Sequence, residues 1–365
     1  MNSLTEKKKW MVVHSLGLIR LLLALSVVFS HSEPFVLTGT SFAGGLVAVE
    51  AFFIISGFYM ALVLESKYSD KTMAFYRNRF LRIFPTYWTI LLLAVVATLF
   101  FGENKLEKLI DGNFSVGTLI LMLVSNAMIF GSDMMMFFST GIDGLFVTGN
   151  FQNEEVKLYE YHYIPQAWTL PLELIFYLIV PFFSRKLHII IALLIVSLLI
   201  KVLTLQAFGR IDPWIYRFFP SELMMFCLGM LSHRLYLLMK GRIRSAYLGP
   251  IALFIIACCT IWFESIAGSM QFRMAAYFLM MVIFIPVIFD HFRHNDFDQM
   301  IGELSYPIYL CHLIVIGAVK YFEISILGDQ TVLYVIGCVV LSWLVHRYVS
   351  EPIEHRFRAP IGEQV

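Results

Sequence analysis

Residues 19–31 read IRLLLALSVVFSH, an apolar run that carries Arg20 near one end and His31 at the other. A charged side chain in hydrocarbon costs roughly 2.5–3.5 kcal/mol on insertion scales, so a chain keeps one there for a purpose. At 100° per residue, the eleven-residue separation is close to three full helical turns. Both groups therefore project from one helix face, ~16 Å apart along its axis. They cannot touch. They read as two stations at different depths along one path.

The rest of the chain agrees with a helix in lipid. Of 365 residues, 59% are hydrophobic and 15% charged, against about 25% charged in a soluble domain. The fold class is all-α, a polytopic membrane protein. A net charge of +1 gives no sign of a nucleic-acid partner. The five cysteines (Cys227, Cys258, Cys259, Cys311, Cys338) fall in apolar stretches without CxxC spacing or clustered histidines. They read as neither a disulfide framework nor a metal site. The start, MNSLTEKKKW, precedes an apolar run too long for a signal peptide core, so it opens a first span. No repeat or low-complexity tract divides the chain. It reads as one membrane domain over 1–365, with its embedded core at about 12–350.

Apolar runs predict ten crossings near 12–31, 45–64, 84–101, 166–183, 188–206, 214–236, 248–264, 270–289, 304–320 and 331–349. A further run at 115–131, short and carrying Asn126, reads as re-entrant or surface-lying. With both termini cytoplasmic, 18 of the 27 basic residues lie inside and seven outside, as the positive-inside rule asks. Letting 115–131 cross would expel Arg185 and Lys186 and reverse every later loop. Arg20 then sits toward the cytoplasm and His31 at the outer end. The outer loop 132–165, polar and aromatic, has the character of a lid or acceptor-binding surface.

Several groups suit chemistry, and each also has a plainer structural reading. His31 is the candidate base, because imidazole accepts and returns protons near neutrality; alternatively it bonds a loop carbonyl. Arg20 serves a site or forms a structural ion pair. Glu173, inside AWTLPLELIFYLIVP (167–181), either orients the imidazole as the third group of a triad does or neutralises Arg20. Glu50 opens the second span near His31, where Ser56 and Gly57 also permit close helix packing. Arg77, Arg79 and Arg82, in RNRFLRIFPTYW (77–88), form either ordinary inner-side charge or a dock for a phosphate-bearing donor. Ser305, Tyr309 and His312 share one face of the ninth span, as catalytic groups or as interhelical hydrogen-bonding groups. Glu351 and Pro352 read as a helix stop at the cytoplasmic exit.

Taken together these segments resemble the integral-membrane acyltransferase-3 family. Arg20 and His31 match its Arg, ten residues, His pattern, and GLVAVEAFFIISGF (45–58) resembles G-V-D/E-x-F-F-x-x-S-G-F. RNRFLRIFPTYW resembles R-x-x-R-I-x-P-x-Y-W. AWTLPLELIFYLIVP resembles W-S-L-x-x-E-x-x-F-Y-x-x-x-P, with Trp168, Glu173, Tyr177 and Pro181 in place. ELSYPIYLCH (303–312) resembles G-x-x-S-Y-x-I-Y-L-x-H, starting at Gly302, and VSEPIEHRF (349–357) the terminal E-x-P element. Thr169 and Pro171 replace serines of the fourth pattern. The form expected is the one without the fused extracytoplasmic hydrolase-like domain that some members carry.

The resemblance implies transfer of an acyl group, acetyl in the first instance, from cytoplasmic acyl-coenzyme A to a hydroxyl of a cell-surface polysaccharide or lipid-linked glycan. His31, Arg20 and Glu173 are then the catalytic set, and Arg82, Arg79 and Arg77 bind the acyl-coenzyme A. Glu50, Trp168, Tyr177, Ser305, Tyr309 and His312 support the acceptor side. Acyl-coenzyme A, acetyl-coenzyme A first, is the co-substrate, and no metal is implied. The expected partners are membrane lipids, the glycan or glycolipid acceptor and other envelope-polysaccharide enzymes. The expected location is the inner membrane of a bacterium. The rival readings are a transporter or flippase and a glycan polymerase. The first commonly shows an internal repeat, which is not seen here; the second needs no basic inner dock.

Overall fold

The computed structural model describes residues 15–69, 71–101, 105–112, 114–141, 144–242, 247–326 and 328–359. Lys7, Lys8, Lys9, Arg244, residues 12–14 of the first apolar run and both extreme termini lie outside the described residues. The chain is helical almost throughout. Its helices are α1 (Gly17–Ser30), α2 (Gly44–Ser66), α3 (Thr72–Phe101), α4 (Lys105–Asp111), α5 (Val116–Met128), α6 (Thr169–Ile179), α7 (Leu187–Phe208), α8 (Phe219–Met239), α9 (Leu248–Ile261), α10 (Met270–Phe292), α11 (Asp296–Tyr321), α12 (Thr331–Val345) and α13 (Glu351–Phe357). Among the described residues, seven stretches are long and apolar enough to cross a membrane: α2, α3, α7, α8, α10, α11 and Thr331–Phe357. The protein is a multi-pass membrane protein. Where the sequence suggests further spans at 12–31, 166–183 and 248–264, the described helices α1, α6 and α9 are shorter, at 14, 11 and 14 residues. The 13 residues of α5 measure ~20 Å, less than the ~30 Å of a hydrocarbon core.

Two packing decisions place the site. α1 runs parallel to α11. Asp298 of α11 accepts hydrogen bonds from the backbone N–H groups of Gly17 (2.9 Å) and Leu18 (3.0 Å), donors that the first turn of a helix otherwise leaves unpaired. Glycine is required at that contact, since a Cβ on Gly17 would stand 1.7 Å from the Asp298 carbonyl oxygen. Fourteen residues further along α1, His31 meets His312 of α11. The second decision is the antiparallel pair of α2 and α8. A Cβ on Gly57 would fall 2.0 Å from the Phe226 carbonyl, and one on Gly229 would fall 1.9 Å from that of Ile54. Small residues let the two backbones approach this closely.

Three elements depart from the sequence reading. α3 begins at Thr72 rather than near 84, so the Arg77–Arg82 cluster is helical. Most of its buried positions, Phe75, Asn78, Arg79, Ile83, Thr86, Tyr87, Ile90 and Ala94, form one stripe at helical spacing, with Phe84 buried outside it. Glu351 and Pro352 do not end a helix. α12 passes through a π-helical turn at His346–Ser350 into α13, and Pro352 sits in the first turn, where its missing N–H has no partner to lose. The outer loop adds a two-stranded antiparallel hairpin, β1 (Phe138–Gly141) with β2 (Gly144–Val147), pairing Phe138 with Val147 and Gly141 with Gly144.

Candidate active site

A cavity of roughly 130 Å³ opens between α1, α2, α3, α6 and α11. Arg79 and Arg82 line it from α3, Arg20 from α1, Ser56 and Tyr59 from α2, Glu173 and Tyr177 from α6, and Ser305 and Tyr309 from α11. Arg82 Nη2 pairs with Glu303 Oε2 at 3.1 Å. The Arg20 guanidinium makes no hydrogen bond or ion pair among the described residues; its ionisable neighbours are Arg82, Glu303, Tyr59 and Glu173. Gly302 makes room for it, since a Cβ there would stand 3.3 Å from Arg20 Nη1. Glu173 Oε1 accepts from Ser56 Oγ (2.7 Å) and Tyr177 Oη (2.5 Å). A guanidinium with unspent donors therefore faces an ordered carboxylate across a largely apolar cavity, where charges act strongly.

Beyond the cavity, on the side of the outer loop, a polar layer closes α6 onto α11. Thr169 Oγ1 donates to Tyr309 Oη at 2.9 Å, Tyr309 Oη donates to the Gln166 carbonyl, and Gln166 Nε2 donates to the Leu310 carbonyl at 2.6 Å. One turn on from Tyr309 stands His312, wholly buried. Its Nδ1 is 2.7 Å from the Tyr309 carbonyl oxygen and its Nε2 is 3.2 Å from His31 Nδ1. His31, the C-cap of α1, is exposed, and its Nδ1 also lies 3.0 Å from the Val27 carbonyl oxygen. The neighbour the sequence suggested for His31 was Glu173. In the structure Glu173 bonds Ser56 and Tyr177, and His312 stands beside His31.

Cations gather beside Arg79, which lines the cavity. Arg79 is buried, with its guanidinium over the Phe75 ring at 5.8 Å and Nε lacking a hydrogen-bond partner among the described residues. Burial, with Arg358 and Arg79 beside it, pushes Lys67 down to about 8. Asn78 draws the C-terminal segment to this cluster by accepting from the Ala359 N–H at 2.9 Å. Arg77 is exposed and outside the cavity lining.

Glu50 is placed elsewhere. It is buried in an ion cluster with Lys201 Nζ, which is 2.7 Å from Glu50 Oε1 and 2.8 Å from Glu222 Oε1. This explains Lys201, which the sequence left unassigned inside a span. Trp168 carries the Arg217 guanidinium 4.0 Å over its ring, and Arg217 is fixed by Asp212 at 2.5 Å. Arg217, Lys67, Arg358 and Glu303 went unnoticed in the sequence because each reads singly as a surface or loop charge. Only the fold sets Lys67 and Arg358 near Arg79, Glu303 against Arg82 and Arg217 over Trp168.

A family model described as an acyltransferase domain matches residues 13–347, nearly the whole chain. The chain belongs to the acyltransferase-3 family, and it is an acyltransferase. No curated protein and no solved structure gives a match.

Proposed function

We propose that this protein carries an acyl group, acetyl in the first instance, from cytoplasmic acyl-coenzyme A to a hydroxyl of a cell-surface polysaccharide or lipid-linked glycan precursor, in the inner membrane of a bacterium. The observation that carries the reading is the cavity that joins Arg79 and Arg82 to Arg20 and runs as far as Thr169 and Tyr309, one turn of α11 short of His312. Lys67, Arg79 and Arg358 suit the phosphates of a nucleotide-bearing donor at the inner mouth, where guanidinium forks bind phosphate bidentately. The thin acyl arm rises through the cavity past Arg20. Lying ~16 Å below His31 along α1, Arg20 serves the donor rather than the reacting carbonyl. Glu173, held by Ser56 and Tyr177, balances its charge.

The chemistry is assigned to His31. Its imidazole removes the proton of the acceptor hydroxyl as that oxygen attacks the thioester carbonyl. The C–S bond then breaks, the acyl oxygen ester forms, and the proton passes to the departing thiolate. Trp168, Tyr309 and Ser305 shape the path from the donor side to the acceptor side. The exposed edge of His31 leaves the acceptor to approach from the outer loop.

The test is a turnover assay with purified protein, radiolabelled acetyl-coenzyme A and a panel of glycan acceptors. Wild type should consume thioester, and His31→Ala should lose at least about a hundredfold, in line with general-base catalysis. Arg20→Lys keeps the charge but loses the planar fork, and should lose about tenfold or more. No turnover with any acyl donor, or full activity in His31→Ala, would sink the mechanism.

A further inference from the structure

His312 is buried and separated from the acceptor side by His31, so it cannot be the base. Its two nitrogens nevertheless face two different partners, and their geometry fixes where every proton sits. Nδ1 is 2.7 Å from the Tyr309 carbonyl oxygen, which can only accept, so Nδ1 carries the proton. A doubly protonated imidazole at this wholly buried position would face a large desolvation cost. The ring is therefore neutral and Nε2 holds a bare lone pair. That lone pair points at His31 Nδ1, 3.2 Å away.

His31 Nδ1 is surrounded by acceptors. The Val27 carbonyl oxygen lies at 3.0 Å, the His312 Nε2 lone pair at 3.2 Å and Ser30 Oγ at 3.4 Å. The Ser30 hydroxyl proton is already given to the Val27 carbonyl at 2.8 Å. His31 must carry its proton on Nδ1, so its Nε2 is the free base. Val27 alone leaves the ring free to swing about the end of α1, where the helix has finished at Ser30. His312 supplies the second anchor, from a different helix.

We propose that His312 is the positioning residue of the catalytic base: it holds His31 as the Nδ1–H tautomer, aims Nε2 at the acceptor hydroxyl, and takes a stronger hydrogen bond from Nδ1–H when His31 becomes an imidazolium. The inference rests on the acyl-transfer reading for its kinetic consequence but not for the tautomer itself. The pair does what a carboxylate–histidine pair does without a buried negative charge. Hydrogen bonds from a charged donor are roughly twice as strong as neutral ones, so the His31–His312 contact is stronger after proton abstraction than before it. No net proton is gained or lost, because His31 returns the abstracted proton to the leaving thiolate.

Two near-isosteric variants separate this role from a packing role. His312→Asn places an amide near the position of Nδ1, keeps the bond to the Tyr309 carbonyl and cannot reach His31. His312→Gln places its side-chain oxygen near the position of Nε2, reaches His31 and loses the Tyr309 bond. The proposal expects kcat to fall about 10- to 100-fold in His312→Asn, with the KM for acyl-coenzyme A unchanged, and to stay within about threefold of wild type in His312→Gln; outer-shell partners of functional histidines have effects of this size. Nitrogen-15 spectra of histidine-labelled protein should show His31 protonated on Nδ1 alone in wild type and His312→Gln, and a tautomer mixture in His312→Asn. The reverse ranking, a wild-type rate in His312→Asn, or a His31 protonated on Nε2 would overturn the proposal. Absence of thioester turnover in wild type would instead strike the acyl-transfer reading, and the spectra would still decide the tautomer.

Discussion

Lys201 shows how one residue is tied to the fold by charge alone. Its ammonium stands between Glu50, 1% exposed, and Glu222, 0% exposed. Oε2 of each carboxylate lacks a hydrogen-bond partner among the described residues. Removing one member of a buried ion group leaves an uncompensated charge, which costs about 3–5 kcal/mol. Lys201→Met should therefore lower the thermal midpoint in detergent sharply. Converting both carboxylates to amides in the same chain (Lys201→Met with Glu50→Gln and Glu222→Gln) should recover most of the loss, because no charge then remains to strand. A triple variant as unstable as the single one would mean that Lys201 acts through its packing rather than its charge. Arg20 belongs to the opposite class. It has donors unspent among the described residues, so its substitution should touch turnover before stability.

At the scale of elements, the outer loop between α5 and α6 is poised by two groups of opposite sign. His162 is buried, its Nε2 3.0 Å from Ser125 Oγ, and burial with Lys105 nearby holds it down to about 4. Burial pushes Asp133 up to about 6. For His162 the unfolded form binds the proton more readily, so its share of stability is full above its ordinary value of 6.5 and is lost as pH falls toward 4. For Asp133 the folded form binds the proton more readily, so its share is full below 3.8 and is lost as pH rises through 6. The two nearly cancel from pH 7 to 4. Hydrogen exchange of the loop should therefore change little over that range in wild type. Asp133→Asn should loosen the loop on acidification and His162→Gln should tighten it; equal, flat profiles in both variants would refute the balance. None of this was legible from the sequence, where 132–165 is only polar and aromatic. The spans were more legible, because a run such as Leu187–Phe208 cannot be buried any other way. The two groups of α1 were legible too, since a spacing of eleven fixes a helix face. What spacing along one chain cannot report is which helix lies opposite. His312 was visible only as a polar position in α11, and its pairing with His31, 281 residues away, is a property of the packed bundle. The early start of α3 was hidden for a related reason. Arginines at a membrane edge look like a loop until their apolar stems and neighbours are buried.

For the whole molecule, the parallel packing of α1 on α11 sets a direction. The ends that begin at Gly17 and Asp296 lie together, next to Arg20, Gly302 and Arg82, and the ends that carry His31 and His312 lie together toward the outer loop. Basic groups collect at the first end: Arg185 Nη2 donates to the Leu64 carbonyl, Arg234 pairs with Glu65, and Lys67 has Arg358 and the cavity-lining Arg79 beside it. Under the proposed function, a donor with several phosphates would dock at that end, and His31 would act as the base at the other. Acyl transfer by this arrangement would then be vectorial under the same proposal, with the acyl group moving through the protein and the nucleotide staying behind. In proteoliposomes sorted by orientation, acyl-coenzyme A supplied on the Arg79 side and a hydroxyl acceptor on the His31 side should react without mixing of the two compartments. The same donor supplied only on the His31 side should give no product. Because the attraction is electrostatic, Arg79→Gln should raise the KM for acyl-coenzyme A by about tenfold, the loss of roughly one charge-assisted contact, with the acceptor KM unchanged. Product formed with donor and acceptor both confined to the His31 side would rule out threading and place the whole reaction at one surface.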